Sequence, residues 1–317
     1  MTIKTRKIGI LGVGNVGSHC AYTLALNGQV DDLVLVDVKR EKSLGEALDL
    51  KDSINFLPHN INVTVGEEVD LVDTDILIIS AGPLPKLDQS RLDTLGDTID
   101  AIGSSIDNII KLGFHGIILS ISNPADVVAD HILKRTGLDR RRVFSTGTSL
   151  DSARLKRILA RELKIAYKSI NTFSMGEHGG SQIVPWSIVN VGNVPVKEFA
   201  LKKGIELDFD KILEETRFAG YDVLRGKGST EFGISSACCD IVKAILHDEK
   251  RIITLSTLLS GEFNQEGVFA SVPCIMGKNG VEEILTPRLT DQELFGFQKS
   301  CDVIRDFIKI ADSYLEV

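Results

Sequence analysis

Residues 7–17 read Lys7-Ile8-Gly9-Ile10-Leu11-Gly12-Val13-Gly14-Asn15-Val16-Gly17, an apolar run that passes directly into G-x-G-x-x-G. A short isoleucine-bearing run of this kind predicts a buried strand. The helical apolar spacing of Asn15–Leu26 that follows ends at Asn27-Gly28, a C-terminal stop signal. In a strand–turn–helix setting each glycine has its own task. Gly12 permits the tight turn, Gly14 lets the backbone approach a pyrophosphate, and Gly17 lets the helix pack closely on the strand. The first N–H groups of the helix are then open to phosphate. Asp37 closes a second apolar run, Leu33–Val36, 20 residues beyond Gly17. A carboxylate there accepts hydrogen bonds from an adenine ribose and repels a 2′-phosphate, so NAD is favoured over NADP. Lys39 and Arg40 follow closely and temper that preference. A purely structural glycine turn is the alternative reading.

Outward from this turn the first half alternates strand-like and helical segments. After Glu41–Asp52 (helix) come Ile61–Val65 and Ile76–Ser80 (strands), Thr94–Leu112 (helix), Gly116–Ile121 (strand), Ala125–Thr136 (helix) and Val143–Thr146 (strand). Such alternation implies an α/β fold with a doubly wound parallel sheet, helices on both faces. The second half differs. Ser152–Leu163, Asp210–Leu224, Ile234–Leu246 and Thr290–Leu315 read as helices, and Ser169–Met175 with Ile183–Val196 as irregular or antiparallel strand material. The expectation is an N-terminal dinucleotide-binding Rossmann domain, residues 1–148, and a C-terminal α+β catalytic domain, residues 149–317. A chain of 317 residues carries roughly two domains on length alone.

Composition narrows the partners. Hydrophobic residues make up 43% and charged residues 25%, ordinary globular values. With 36 Lys+Arg against 44 Asp+Glu the net charge is −8, which argues against nucleic acid or an anionic membrane as partner. No apolar run approaches ~18 residues, so no transmembrane helix is expected. Lys4, Arg6 and Lys7 ahead of Ile8–Leu11 mimic a signal peptide, but the run breaks at Gly12. Five cysteines (20, 238, 239, 274, 301) are odd in number, sparse and without CxxC. They predict neither a disulfide framework nor a metal site, and reduced thiols in the cytoplasm are the expectation. Cys238-Cys239 reads as a pair of small buried residues rather than a redox sensor. Arg140-Arg141-Arg142 reads as a solvated loop face ahead of a strand, and His19, His59, His115, His131 and His247 lack a ligand-like pairing.

Sharper chemistry lies elsewhere. Ser174-Met175-Gly176-Glu177-His178-Gly179-Gly180-Ser181 sets a histidine between glycines. In Gly147-Thr148-Ser149-Leu150-Asp151-Ser152-Ala153-Arg154, Asp151 and Arg154 are three apart and share one helix face. Ile121-Ser122-Asn123-Pro124 ends the fifth strand, at the carboxyl edge where ligands of such sheets bind. Taken singly, each is compatible with a structural role.

Together, from about Lys7 to the C-terminal helix, these segments resemble the L-lactate/malate dehydrogenase family, and within it the L-lactate and L-2-hydroxyisocaproate dehydrogenases. The resemblance implies reversible reduction of a 2-oxo acid by NADH, with pyruvate or a bulkier homologue such as 2-oxoisocaproate as substrate. His178 would be the acid–base residue, protonating the carbonyl oxygen as hydride reaches the carbon. Asp151 would hold its tautomer and stabilise the imidazolium. Arg154 would grip the substrate carboxylate with two parallel hydrogen bonds, which lysine cannot supply. Asn123 would lie beside nicotinamide and carbonyl, and Thr230 in the substrate pocket. Val16, Gly82 and Thr146 join Gly12, Gly14, Gly17 and Asp37 as cofactor-binding positions. Arg91 would polarise the carbonyl from a lid that begins at Ala81-Gly82-Pro83 and excludes water on closing. No metal is implied.

Two departures from the family pattern matter. The lid's specificity position, Gln in many lactate dehydrogenases and Arg in malate dehydrogenases, falls on Pro85. No cation then meets a second carboxylate, so malate is disfavoured and a bulkier apolar side chain is admitted; a one-residue shift onto Lys86 would soften this. The common His-Gly-Asp is His178-Gly179-Gly180 here, one carboxylate fewer. Lys156 and Ile188 stand where many bacterial relatives bind fructose 1,6-bisphosphate through Arg and His, so little activation by that effector is expected. The family also implies a homo-oligomer, tetramer or dimer. Malate dehydrogenase, an NAD-requiring glycosidase and a non-catalytic NAD sensor are the competing readings. Ala125 after Asn123-Pro124, where the glycosidase would need a metal-binding Cys, speaks against the second. The His178, Asp151, Arg154 and Arg91 set speaks against the third.

Overall fold

The computed structural model describes residues 5–83 and 95–313. Its centre is a sheet whose parallel strands are β1 (Lys7–Leu11), β2 (Asp32–Val36), β3 (Asn62–Val65), β4 (Ile76–Ile79), β5 (Ile117–Ser120) and β6 (Val143–Ser145), in the order β3-β2-β1-β4-β5-β6. In β4 and β5 every residue is buried, as central strands covered on both faces must be. β-Branched Ile and Val recur in β1 and β2 and dominate β4, and they fit a pleated buried surface. The winding reverses between β1 and β4, whose carboxyl ends open a crevice at the glycine turn.

Helices α1 (Asn15–Leu26), α2 (Arg40–Ile54), α3 (Leu95–Lys111), α4 (Ala125–Thr136) and α5 (Ser149–Leu163) connect or follow these strands. α4 starts after Pro124 and stops at Gly137, whose φ of +60° is a left-handed end that glycine adopts without a Cβ penalty. α5 begins one turn earlier than the spacing predicts, and that turn carries Asp151. Leu95–Lys111 agrees with the predicted third helix, apart from Thr94, which lies outside the described residues.

The second half adds a small sheet of β7 (Ile170–Asn171), β8 (Asn190–Val191) and β9 (Val194–Pro195), then α6 (Val196–Lys202), α7 (Phe209–Lys227) and α8 (Phe232–Leu246). Residues 247–289, to which the sequence reading assigns no element, form β10 (Arg251–Ser260), β11 (Glu266–Gly277) and β12 (Gly280–Ile284); α9 (Asp291–Ser313) closes the fold. β10 pairs antiparallel with β6 through Ser256 and Ser145, so one nine-stranded sheet runs through both halves. Phe144, Phe269 and Phe297 are fully buried along it. The five cysteines are buried, and burial pushes the Cys239 and Cys301 thiols up to about 12. Arg141 and Arg142 are exposed as expected, but Arg140 is not simply solvated. It donates to Leu258 O (2.8 Å) and Glu262 (3.0 Å) and holds the β10–β11 turn. Among the described residues no helix is long and apolar enough to cross a membrane.

Candidate active site

Conformation and packing require glycine at two of the three turn positions, 12 and 17, and not at 14. Gly12 has φ +93°, and a Cβ on it would stand 2.6 Å from Ser80 O. A Cβ on Gly17 would fall 2.0 Å from Gly12 O. Gly14, at φ −66° and ψ −168°, is unstrained, and a Cβ there meets nothing within 4 Å. Neither conformation nor packing asks for glycine at 14; the space it leaves faces out of the fold. Gly14 caps α1 without a side-chain hydrogen bond, and no acid lies in the first turn, so the positive end of the helix dipole points at that space. Asp37 accepts from Val13 N (2.8 Å) and Lys39 N (2.9 Å), which ties the turn to the end of β2. It borders a cleft of about 660 Å³ together with Leu11, Val38, Arg40 and Gly66. Gly82 has φ +118°, with a Cβ there 2.8 Å from Thr98 Oγ1.

These differences yield a test. Gly14→Ala is expected to fold with stability within about 1 kcal/mol of wild type, while NADH binding weakens at least about ten-fold. Gly17→Ala is expected to lose roughly 1–3 kcal/mol of stability through overpacking. Thermal melts and an NADH fluorescence titration check both. Unchanged NADH affinity in Gly14→Ala would place the phosphates elsewhere.

The second cluster is assembled by three chain segments. α5 supplies Asp151 and Arg154. The loop 174–183 supplies His178, and the residues that end β5 supply Asn123. Met175 and Ile183 exchange backbone hydrogen bonds at 2.9 Å, and Gly176 pairs with Ser271 of β11, so the His178 loop is a pinned hairpin. Ser174 N donates to Ser152 Oγ (2.9 Å), which fixes the loop against α5. Glu177 accepts from Ser181 N (2.9 Å) and Ser181 Oγ (2.5 Å), and Gly179 is the residue that leaves room for it. Gly180 faces open space, so the absent carboxylate of that position leaves no packing defect.

His178 Nδ1 lies 2.5 Å from Asp151 Oδ2, and Arg154 Nη1 donates to Asp151 Oδ1 at 2.9 Å. The Asp151 side chain is 2% exposed, Arg154 11% and His178 14%. A buried carboxylate held by an arginine acts as an acceptor, which makes Nδ1 the donor and leaves Nε2 for a ligand. His178, Arg154, Asn123, Thr146, Thr230 and Val16 all border one pocket of about 140 Å³, whose remaining wall includes Ile121, Leu150, Leu224 and Ile234. The Asn123-Pro124 peptide is cis. Asn123 Oδ1 is buried with no hydrogen-bond partner among the described residues. Arg91 and Pro85 lie outside the described residues, as does Lys86.

Two side chains that sequence reading passes over belong to this site. Tyr221 of α7 lines the pocket. Asp126 accepts from His178 N at 2.9 Å while 3% exposed. In the sequence Asp126 is an ordinary first-turn acid of a helix; its place two residues after Pro124 is the only hint of more.

A dinucleotide suits what is present. Gly14 leaves open space at the start of α1, α1 offers an N-terminus without a side-chain cap, Asp37 borders the cleft, and Asn123 holds a buried acceptor to be satisfied. Comparison with known proteins agrees. Residues 6–145 match the family described as lactate/malate dehydrogenase, NAD binding domain, and residues 148–313 match its alpha/beta C-terminal domain. L-lactate dehydrogenase 3 of Bacillus cereus is 42% identical over 98% of this chain and 99% of its own length. L-lactate dehydrogenase of Fusobacterium nucleatum is 40% identical over 98% and 99%. Among solved structures, the minor L-lactate dehydrogenase of Enterococcus mundtii superposes with a TM-score of 0.92 at 33% identity, covering 96% of this chain and 98% of that one. The chain is therefore an NAD-dependent oxidoreductase of the lactate/malate dehydrogenase family.

Proposed function

We infer that the protein interconverts a 2-oxo acid and its L-2-hydroxy acid in the manner of an L-lactate dehydrogenase, with a substrate whose side chain is apolar. The observation that carries this is His178 and Arg154, both bonded to Asp151, on the wall of a pocket shared with Asn123, Thr146 and Val16. The chemistry that NADH would supply when bound is a hydride for the carbonyl carbon. Arg154, one guanidinium nitrogen spent on Asp151, turns its others to the substrate carboxylate, a planar fork meeting a planar acceptor. Protonated His178 donates from Nε2 to the carbonyl oxygen, and Asp151 keeps the ring oriented while it changes charge. Asn123 and Thr230 place the carbonyl end, and Arg91, from the lid, polarises the carbonyl. Gly12, Gly14, Val16, Gly17, Asp37, Gly82 and Thr146 would hold the dinucleotide.

The side-chain preference rests on the described wall. It carries one arginine, Arg154, and no lysine, against Ile121, Leu150, Leu224 and Ile234. A second substrate carboxylate would find no counter-charge there. Gly220, in the interior of α7, lies where a Cβ would approach the Arg154 guanidinium at 3.3 Å, and its absence widens the pocket on that side. With Pro85 at the lid's specificity position, pyruvate and a larger apolar homologue such as 2-oxoisocaproate are both admitted, and oxaloacetate is disfavoured. The same reading divides the chain at 148/149 into nucleotide and catalytic domains and makes it a cytoplasmic homo-oligomer, tetramer or dimer.

A panel of 2-oxo acids with growing side chains tests it. The expected order puts pyruvate and 2-oxoisocaproate ahead of oxaloacetate in kcat/KM. Oxaloacetate leading by a wide margin would remove the role given to Pro85.

A further inference from the structure

We propose that Asp126 is a positioning residue for this reaction: its buried carboxylate fixes the backbone of His178 and, as an anion, supports the imidazolium alongside Asp151. The proposal rests on the reading of His178 as the acid–base group.

Asp126 stands in the first turn of α4, immediately beyond Asn123-Pro124. One helix start thus supplies both a wall residue of the pocket and the anchor of the His178 loop. Oδ2 accepts the His178 N–H at 2.9 Å, and the neighbouring Glu177 N–H donates to Ser300 Oγ of α9 at 2.8 Å. The histidine is gripped twice, at its backbone by α4 and at ring Nδ1 by α5. Holding a single N–H does not need a charge, because a buried amide or hydroxyl oxygen accepts it as well. A carboxylate at 3% exposure is a costly choice for that task. Among the described residues no lysine or arginine is paired with Asp126, so its charge is not spent on an ion pair. The groups facing it from the packed elements are the His178 ring, the Glu177 carboxylate, the Ser256 hydroxyl of β10 and the Cys301 thiol of α9. Of these only His178 can carry a positive charge.

The balance of these groups shows in its titration. Burial pushes the Asp126 carboxyl up to about 6, opposed by the Ser256 hydroxyl, the His178 N–H and the His178 ring, while Glu177 adds to the rise. A carboxyl whose folded value is raised binds its proton more tightly when folded. Its ionised form therefore costs stability above about pH 6, and that cost disappears as pH falls toward the unfolded value. A buried carboxylate that holds the His178 N–H and has no paired lysine or arginine among the described residues fits a functional rather than a packing role.

The test separates these roles. Asp126→Asn keeps the shape: its amide oxygen accepts from His178 N–H, and its NH2 turns toward Ser256. At neutral pH the expected results are a thermal midpoint equal to or above wild type and unchanged NADH affinity. The kcat/KM for pyruvate reduction should fall by roughly ten-fold. Reduction requires protonated His178, so activity falls as pH rises. Removing a nearby anion moves that fall to lower pH by roughly half a unit to one unit. Ser256→Ala, which removes the hydroxyl that faces the Asp126 carboxyl without touching His178, is expected to move it in the same direction by less. That variant decides the matter if Asp126→Asn does not accumulate as folded protein. An unshifted pH profile, with or without a loss of stability, would reduce Asp126 to a structural acceptor. A wild-type protein that binds NADH but reduces no 2-oxo acid would instead remove the reading of His178 itself.

Discussion

Replacing His178 with Asn is expected to lower the rate of NADH-linked 2-oxo acid reduction by at least about 10²-fold, the usual lower worth of a positioned acid–base group. NADH affinity should stay near the wild-type value. The two effects separate because the two sites do. His178 sits on the 174–183 loop, tied to Asp151 at 2.5 Å, whereas the dinucleotide turn of Gly12 to Gly17 and Asp37 belongs to β1, α1 and the end of β2. Asparagine can still donate toward Asp151, so the buried carboxylate keeps a partner and the loop keeps its hairpin. It cannot carry a proton to a carbonyl oxygen. Stopped-flow and steady-state rates at matched NADH saturation read the effect. Turnover near that of wild type would refute the assignment of His178.

Arg154→Lys is expected to raise KM for the 2-oxo acid and to lower kcat/KM together, by roughly 10- to 10³-fold. That range corresponds to the loss of one charge-assisted hydrogen bond of about 1.5–3 kcal/mol and some misorientation. The charge is conserved, so a purely Coulombic role would leave kcat/KM almost untouched. One guanidinium nitrogen is occupied by Asp151 at 2.9 Å, so on the proposed reading the substrate carboxylate is held by the others as a fork. A single ammonium cannot face both acceptors with the same fork. Because Arg154 is 11% exposed beside a 2% exposed Asp151, removing the charge altogether would leave a buried carboxylate uncompensated. Lysine is for that reason the cleaner probe. An unchanged kcat/KM would show that the substrate carboxylate binds elsewhere.

The nucleotide half was legible because its signals are local. α1 and α4 span the expected Asn15–Leu26 and Ala125–Thr136, and their limits fall at Asn27-Gly28, Pro124 and Gly137, since glycine and proline act through backbone sterics that need no tertiary partner. The strand pair β10–β11 was not legible. Its buried residues include Thr254, Ser256, Thr257 and Ser271, and Pro273 sits inside β11 opposite Thr254. A strand covered on both faces shows no alternation, and small polar residues with a proline interrupt the apolar run that would otherwise mark it. The continuous sheet across the two halves followed from that same stretch. In the site, the spacing of Asp151 and Arg154 put them on one helix face, but the pairing of Asp151 with His178 spans 27 positions and came only through family resemblance. Asp126 stayed hidden because an acid in a first helical turn is ordinary, and only the folded chain brings the His178 N–H to it.

NADH oxidation on addition of pyruvate, with chiral analysis of the product, reads the proposed reaction itself. L-lactate is expected to form in step with the NADH consumed, and that output to be lost in His178→Asn with NADH binding retained. D-lactate as product, or NADH bound but never oxidised by pyruvate or any larger 2-oxo acid, would contradict it.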